Sequence, residues 1–155
     1  MSGEQADDIH RRAVAALAPL RWMEGTWAGI GTAHGEPVTG RLTARAALGD
    51  SFLEVRERLT DSDGNEDHED VCYYRQDPER GLRVLHLMAP ATVVDREVRL
   101  LPSSDPGVLL FRWYENPFSP RVDFAWNGTE LRLEVWLPFE PAPQVSLLYR
   151  RLGPT

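Results

Sequence analysis

Gly25-Thr26-Trp27-Ala28-Gly29-Ile30-Gly31 sets one indole among three glycines, at the point where the periodicity of the chain changes. Glycine inside a strand costs backbone entropy and marks a bulge, a barrel corner or the close approach of another group. A tryptophan there fills the apolar space the glycines leave, so the stretch reads as a core tryptophan at a strand bend. On its N-terminal side Ile9, Ala13, Ala16, Leu17 and Leu20 recur at near-helical spacing. Asp7 or Asp8 is placed to cap that helix, and Pro19 limits its length. On the C-terminal side the period becomes two and stays so to the end.

The alternation predicts strands near 27–33, 38–47, 52–60, 68–76, 82–89, 93–101, 108–115, 121–126, 130–137 and 145–152. Between them lie turn-rich breaks such as Gly49-Asp50, 61–66, 77–81, 102–107, Asn116-Pro117 and Asn127-Gly128. Ten sequential strands with short connections and no internal helix describe an all-β fold, an antiparallel up-and-down barrel. The expected organisation is one domain over 1–155, with a helical segment at 5–24 and the barrel at 25–152.

Hairpin chemistry refines the register. A two-residue type I′ turn at Asn127-Gly128 pairs Phe124 with Leu131 and Val122 with Leu133. On the other face it sets Asp123 against Arg132 and Arg121 against Glu134. Around 102–107, Leu100 opposite Leu109 brings Val98 to Phe111, Glu97 to Arg112 and Arg96 to Trp113 on the apolar face. An arginine facing a barrel interior is costly unless it is paired, stacked, bound to a ligand or able to reach water at the rim. The turn at 77–81 places Cys72 opposite His86. His86 itself depends on the next loop. A two-residue link at Pro90-Ala91 turns it outward opposite Asp95, and a three-residue link turns it inward near Arg96.

The formal charge of −7 argues against nucleic acid and against an anionic membrane surface as partners. No apolar run approaches the ~20 residues of a membrane-spanning helix. The run 11–18 faintly imitates a twin-arginine signal. Acidic residues precede it and Pro19 and Arg21 follow at once, so a cytoplasmic location is expected. Cys72 is the only cysteine, which excludes an internal disulfide and a thiolate metal cluster. The 61–66 segment resembles the start of a calcium loop but misplaces its glycine and ends on Cys72 rather than glutamate, so it reads as an acidic hairpin loop. His68, Cys72 and His86 match no recognised metal spacing, and no metal is assigned. A phosphate-binding loop, a nucleophile elbow and a dinucleotide fingerprint are all missing from the sequence.

Three patches resemble the nitrobindin-like haem-binding β-barrels, relatives of the calycin, lipocalin and fatty-acid-binding-protein barrels. They are 20–31, with its Gly-x-Trp-x-Gly-x-Gly pattern; His68-Glu69-Asp70-Val71-Cys72-Tyr73-Tyr74-Arg75; and Ala89-Pro90-Ala91-Thr92. In the second, Asp70 takes the acidic place and Cys72 replaces a glycine; in the third, Val93 stands where a glycine usually follows. The resemblance implies a ten-stranded barrel with an interior pocket. In that family a histidine shortly after a proline near the C-terminus ligates haem iron. Here Gln144 falls at that position, and no histidine follows His86. A glutamine amide is a poor iron ligand, so haem and peroxynitrite isomerisation are not carried over.

The expectation is therefore a barrel holding a small hydrophobic molecule, anionic at one end, with a homodimer allowed. Its ligand-binding candidates are His68, His86, Thr92, Arg96, Trp113 and Gln144. The alternatives are haem held by His68 or His86, or an isomerase or cyclase using His86 as acid or base.

Overall fold

A computed structural model of the chain describes residues 1–153 and closes the strands into one antiparallel barrel. Its elements are α1 (Gly3–Leu17), a 3-10 turn (Ala18–Met23), β1 (Gly25–Ala33), β2 (Glu36–Ala47), β3 (Phe52–Asp61) and β4 (Glu66–Asp77). They continue with β5 (Gly81–Met88), β6 (Thr92–Leu101), β7 (Leu109–Tyr114), β8 (Arg121–Trp126), β9 (Glu130–Trp136) and β10 (Val145–Arg151). Each strand pairs with its sequence neighbour, and β10 returns to β1 to close the wall. Closure leaves no unpaired sheet edge. The predicted strands thus form at nearly the predicted places, because the alternation is strict: in β2, Val38, Gly40, Leu42 and Ala44 turn inward between exposed neighbours.

The helix begins earlier than expected. Ser2, not Asp7 or Asp8, is the cap, and it trades hydrogen bonds with Gln5 in a capping box. Ala13, Leu17 and Leu20 are buried, whereas Ile9 is exposed. Among the described residues no helix is long and apolar enough to cross a membrane.

Two hairpin registers differ from expectation by two residues. Asn127 accepts from the amides of Thr129 and Glu130 through its side-chain oxygen, at 3.0 and 2.8 Å. This caps a wider loop and pairs Trp126 with Leu131, Phe124 with Leu133 and Asp123 with Glu134. Asp123 finds its positive partner on the other side, where Arg112 holds it at 2.6 and 3.1 Å. Between β6 and β7, Asp105 caps its own loop through the Gly107 amide, so Val98 meets Trp113 and Leu100 meets Phe111. A slip of two preserves the face, so Arg96 and Trp113 still point inward, but they are not cross-strand partners. The 77–81 turn does set Cys72 opposite His86.

The glycines of β1 and β2 are explained by β10. A Cβ on Gly29 would lie 2.6 Å from the Tyr149 ring, and one on Gly40 would strike the Tyr149 hydroxyl. A Cβ on Gly31 would run into the backbone carbonyl of Ser146. The buried Tyr149 ring occupies the room these positions leave, and β10 lies close against β1.

Outside the barrel, Glu54 is buried beneath Arg45, Arg56 and the Tyr73 hydroxyl, at 3.0, 3.0 and 2.8 Å. Burial works to raise its pKa, but Arg56, Tyr73 and Arg45 prevail and hold it at about 2. A depressed carboxylate stabilises the fold above its unfolded pKa and loses that contribution as pH falls toward 2. Because both guanidinium partners are water-exposed, the contribution is about 1 kcal/mol. Urea titrations of the wild type and Glu54→Gln should differ by that amount at pH 7. By about pH 3 the difference should shrink to less than half; a constant difference would contradict the ion-pair account.

Candidate functional site

The barrel interior is divided. Toward the end covered by α1 and the 3-10 turn it is filled with aromatic rings. Trp22 stacks on Trp126 at 4.7 Å, Trp27 meets Trp126 edge-on at 5.3 Å, and Trp27 Nε1 donates to the Met23 carbonyl at 2.8 Å. Toward the other end lies a cavity of about 350 Å³. Apolar side chains such as Leu59, Val122, Leu133 and Val135 share its walls with a polar cluster of Glu57, His68, Asp70, His86 and Arg96.

Alternation along four strands builds that cluster. On β4 the inward parity that buries Cys72 and Tyr74 also carries His68 and Asp70. On β3, Glu57 takes the inward place between Val55 and Leu59. The orientation of His86 is settled by a three-residue link, Ala89–Ala91, with Met88 paired to Thr92. His86 therefore faces inward, opposite Val94, two pairs away from Arg96, which lies opposite Val84 on the same face.

Asp70 Oδ2 accepts from His86 Nε2 at 2.6 Å and from His68 Nε2 at 3.1 Å. Arg96 Nη1 sits 3.3 Å from His86 Nδ1 and donates to it, which places the His86 proton on Nε2. A chain of donors thus runs from Arg96 through His86 to Asp70. Burial opposes the charge on Asp70, but the bonds from His68 and His86 outweigh it and hold the carboxyl below its ordinary range. Its hydrogen bond to Asp70 raises the pKa of His68. Glu57, half-buried, accepts from the Tyr149 hydroxyl at 2.6 Å. Desolvation, followed by the charge of Asp70, raises Glu57 to about 7. Burial also pushes the Cys72 thiol well up, leaving it neutral and unreactive.

Arg96 is the anomaly. It is only 7% exposed, its Nε has no hydrogen-bond partner, and among the described residues no carboxylate lies within ion-pair distance of it. Burial lowers its pKa and outweighs the opposing pull of Glu115, which makes no ion pair with it.

Five of the six sequence candidates line the cavity: His68, His86, Arg96, Trp113 and Gln144. Thr92 does not; it is exposed at the start of β6. Gln144 stands at the mouth, its amide 2.6 Å from His34 Nδ1. Trp113 packs on His86 with centroids 5.0 Å apart and donates to the Tyr74 hydroxyl at 2.9 Å. His86 is poorly placed as a free acid or base, because both of its ring nitrogens are engaged. Nε2 of each interior imidazole is directed at Asp70, and the Gln144 amide turns to His34. Sequence reasoning passed over Glu57 as a site residue and read Asp70 only as a family position. Their signal was parity: Glu57 shares its strand face with Val55 and Leu59, and Asp70 shares its face with the buried Cys72 and Tyr74.

No described protein family matches the chain, and no curated protein does. Among solved structures, the crystal structure of Rv2717c from M. tuberculosis is similar, with a TM-score of 0.66 at 16% sequence identity. The likeness covers 89% of this chain and 98% of that one. Its identity level makes this a likeness of fold.

Proposed function

We propose that the barrel binds a small hydrophobic molecule carrying a carboxylate or similar anion, with the anion seated against Arg96. The uncompensated, buried Arg96 at the cavity wall carries this reading. A buried guanidinium is stable only with a partner, and an anionic ligand head supplies one. The other acids do not fill that role: Asp70 is committed to two imidazoles, Glu57 is held partly neutral near pH 7, and Glu115 is exposed and makes no ion pair with Arg96. The apolar walls above the cluster suit the ligand body, in the usual division of a pocket into apolar lining and few polar anchors.

The test compares decanoate with decanol in chelator-treated protein, using quenching of tryptophan fluorescence, to which Trp113 in the wall contributes. Decanoate should bind saturably and more tightly than decanol. Arg96→Met should weaken decanoate by roughly 10- to 100-fold, the worth of a charge-assisted hydrogen bond, and leave decanol unchanged. Equal affinity for acid and alcohol, or no saturable binding of either, overturns the proposal.

A further inference from the structure

We infer that His68, Asp70 and His86 form a binding site for one divalent transition-metal ion of the zinc class. The ligand atoms are His68 Nε2, Asp70 Oδ2 and His86 Nε2, all within 4.8 Å of one another. Two imidazole nitrogens and one carboxylate oxygen are gathered together, with both histidine contacts ending on the same oxygen. Zinc takes nitrogen and oxygen ligands at about 2.0–2.2 Å, so a tetrahedral set needs its ligands ~3.3 Å apart. The His68–Asp70 separation of 3.1 Å nearly meets this, and the His86–Asp70 separation of 2.6 Å needs only a small opening.

Both Asp70 and His86 are buried, on adjacent strands β4 and β5, which fixes their positions without an ion. His68 shares the strand of Asp70 two residues away, on the same face. All three residues also line the cavity. Three protein ligands with a remaining position open to a pocket is the arrangement of reactive rather than structural zinc sites. Two nitrogens and one oxygen, with no thiolate, favour zinc and its first-row neighbours over calcium or magnesium.

The proton balance is explicit. His86 now carries its proton on Nε2 and accepts from Arg96 on Nδ1. On binding, the metal takes the Nε2 lone pair and the proton moves to Nδ1. Arg96 Nη1 then gives up that 3.3 Å contact, the longest in the cluster. His68 likewise gives its Nε2 lone pair to the ion, and the proton that Nε2 now donates to Asp70 moves to Nδ1. A histidine that starts protonated releases one proton to solvent.

The site is independent of the ligand reading, because decanoate binding is measured in chelator and reports on Arg96 alone. The test titrates chelator-treated full-length protein with Co²⁺, followed by its visible absorption, and then displaces it with Zn²⁺. One equivalent of Co²⁺ should bind at micromolar concentration and be displaced by Zn²⁺. His68→Gln and His86→Gln should each weaken uptake at least 10-fold. Near-UV circular dichroism checks that the variants fold. His68 is about one-third exposed, so its variant decides the matter even if the buried His86 variant does not fold. Absence of stoichiometric uptake overturns the inference. So does uptake that survives His68→Gln unchanged, since it then belongs to the exposed His10 or His34.

Discussion

Trp27→Ala should lower the stability of the barrel by about 3–5 kcal/mol, the range for deleting a large buried aromatic. The side chain is fully buried and holds several elements at once. Its indole nitrogen ties β1 to the 3-10 turn through Met23, its ring abuts Trp22 and Trp126, and the Arg151 guanidinium covers it at 4.4 Å. Arg151 in turn donates to the carbonyls of Trp22 and Glu24, so the ring is part of the seal at the covered end. An alanine leaves a void among aromatic rings that cannot collapse into it, and it removes the partner of the Met23 carbonyl. Urea denaturation should show the midpoint falling with little change in slope, and Tm should fall by roughly 10 °C. Trp27→Phe, which keeps most of the ring volume, should cost distinctly less. Decanoate affinity in the folded variant should be nearly unchanged, because the cavity occupies the other half of the barrel. A loss below about 1 kcal/mol for Trp27→Ala would mean that the aromatic plug is not what closes this end.

The barrel could be read from the sequence because its signal is local and repeated. Each strand alternates strictly, and each break carries turn residues, so strand ends came out within two residues. The registers were harder. Asn127-Gly128 signals a two-residue turn in isolation, yet the Asn127 side chain satisfies two downstream amides and widens the loop. Charge pairing across that hairpin looked decisive, but Asp123 also faces β7, where Arg112 competes for it. A sheet residue has two lateral neighbours, and a hairpin argument sees only one. The site was legible in part for the same reason. Parity alone puts Arg96 and Trp113 inside, whereas His86 needed the length of a loop that sequence left open between two and three residues. Glu57 and Asp70 were hidden among 24 acidic residues. What distinguishes them beyond parity is their cross-strand pairing in the β3–β4 hairpin, whose register is shifted by an irregularity between Leu59 and Thr60.

Gly31→Ala should cost about 3 kcal/mol, at the upper end of overpacking penalties, and no side-chain change should relieve it. The obstacle to a methyl at Gly31 is the backbone of β10 at Ser146 and Leu147, so the strands must part at the seam that closes the barrel. Gly29 and Gly40 differ in kind. At those positions the added carbon meets the ring and hydroxyl of Tyr149, which can be cut back. In the wild-type background Gly40→Ala should displace Tyr149, break its bond to Glu57, and destabilise by about 1–3 kcal/mol. In a Tyr149→Leu background the same change should be neutral or slightly stabilising, because the clash is gone and alanine restricts the unfolded chain more than glycine. The coupling energy from this cycle, read by urea denaturation, should therefore exceed 1 kcal/mol for Gly40 and Gly29 and lie near zero for Gly31. If Tyr149→Leu rescues Gly31→Ala as well, the glycine at the end of that motif serves the ring and not the seam. The close approach of β1 and β10 would then have to be explained by something other than the missing side chain.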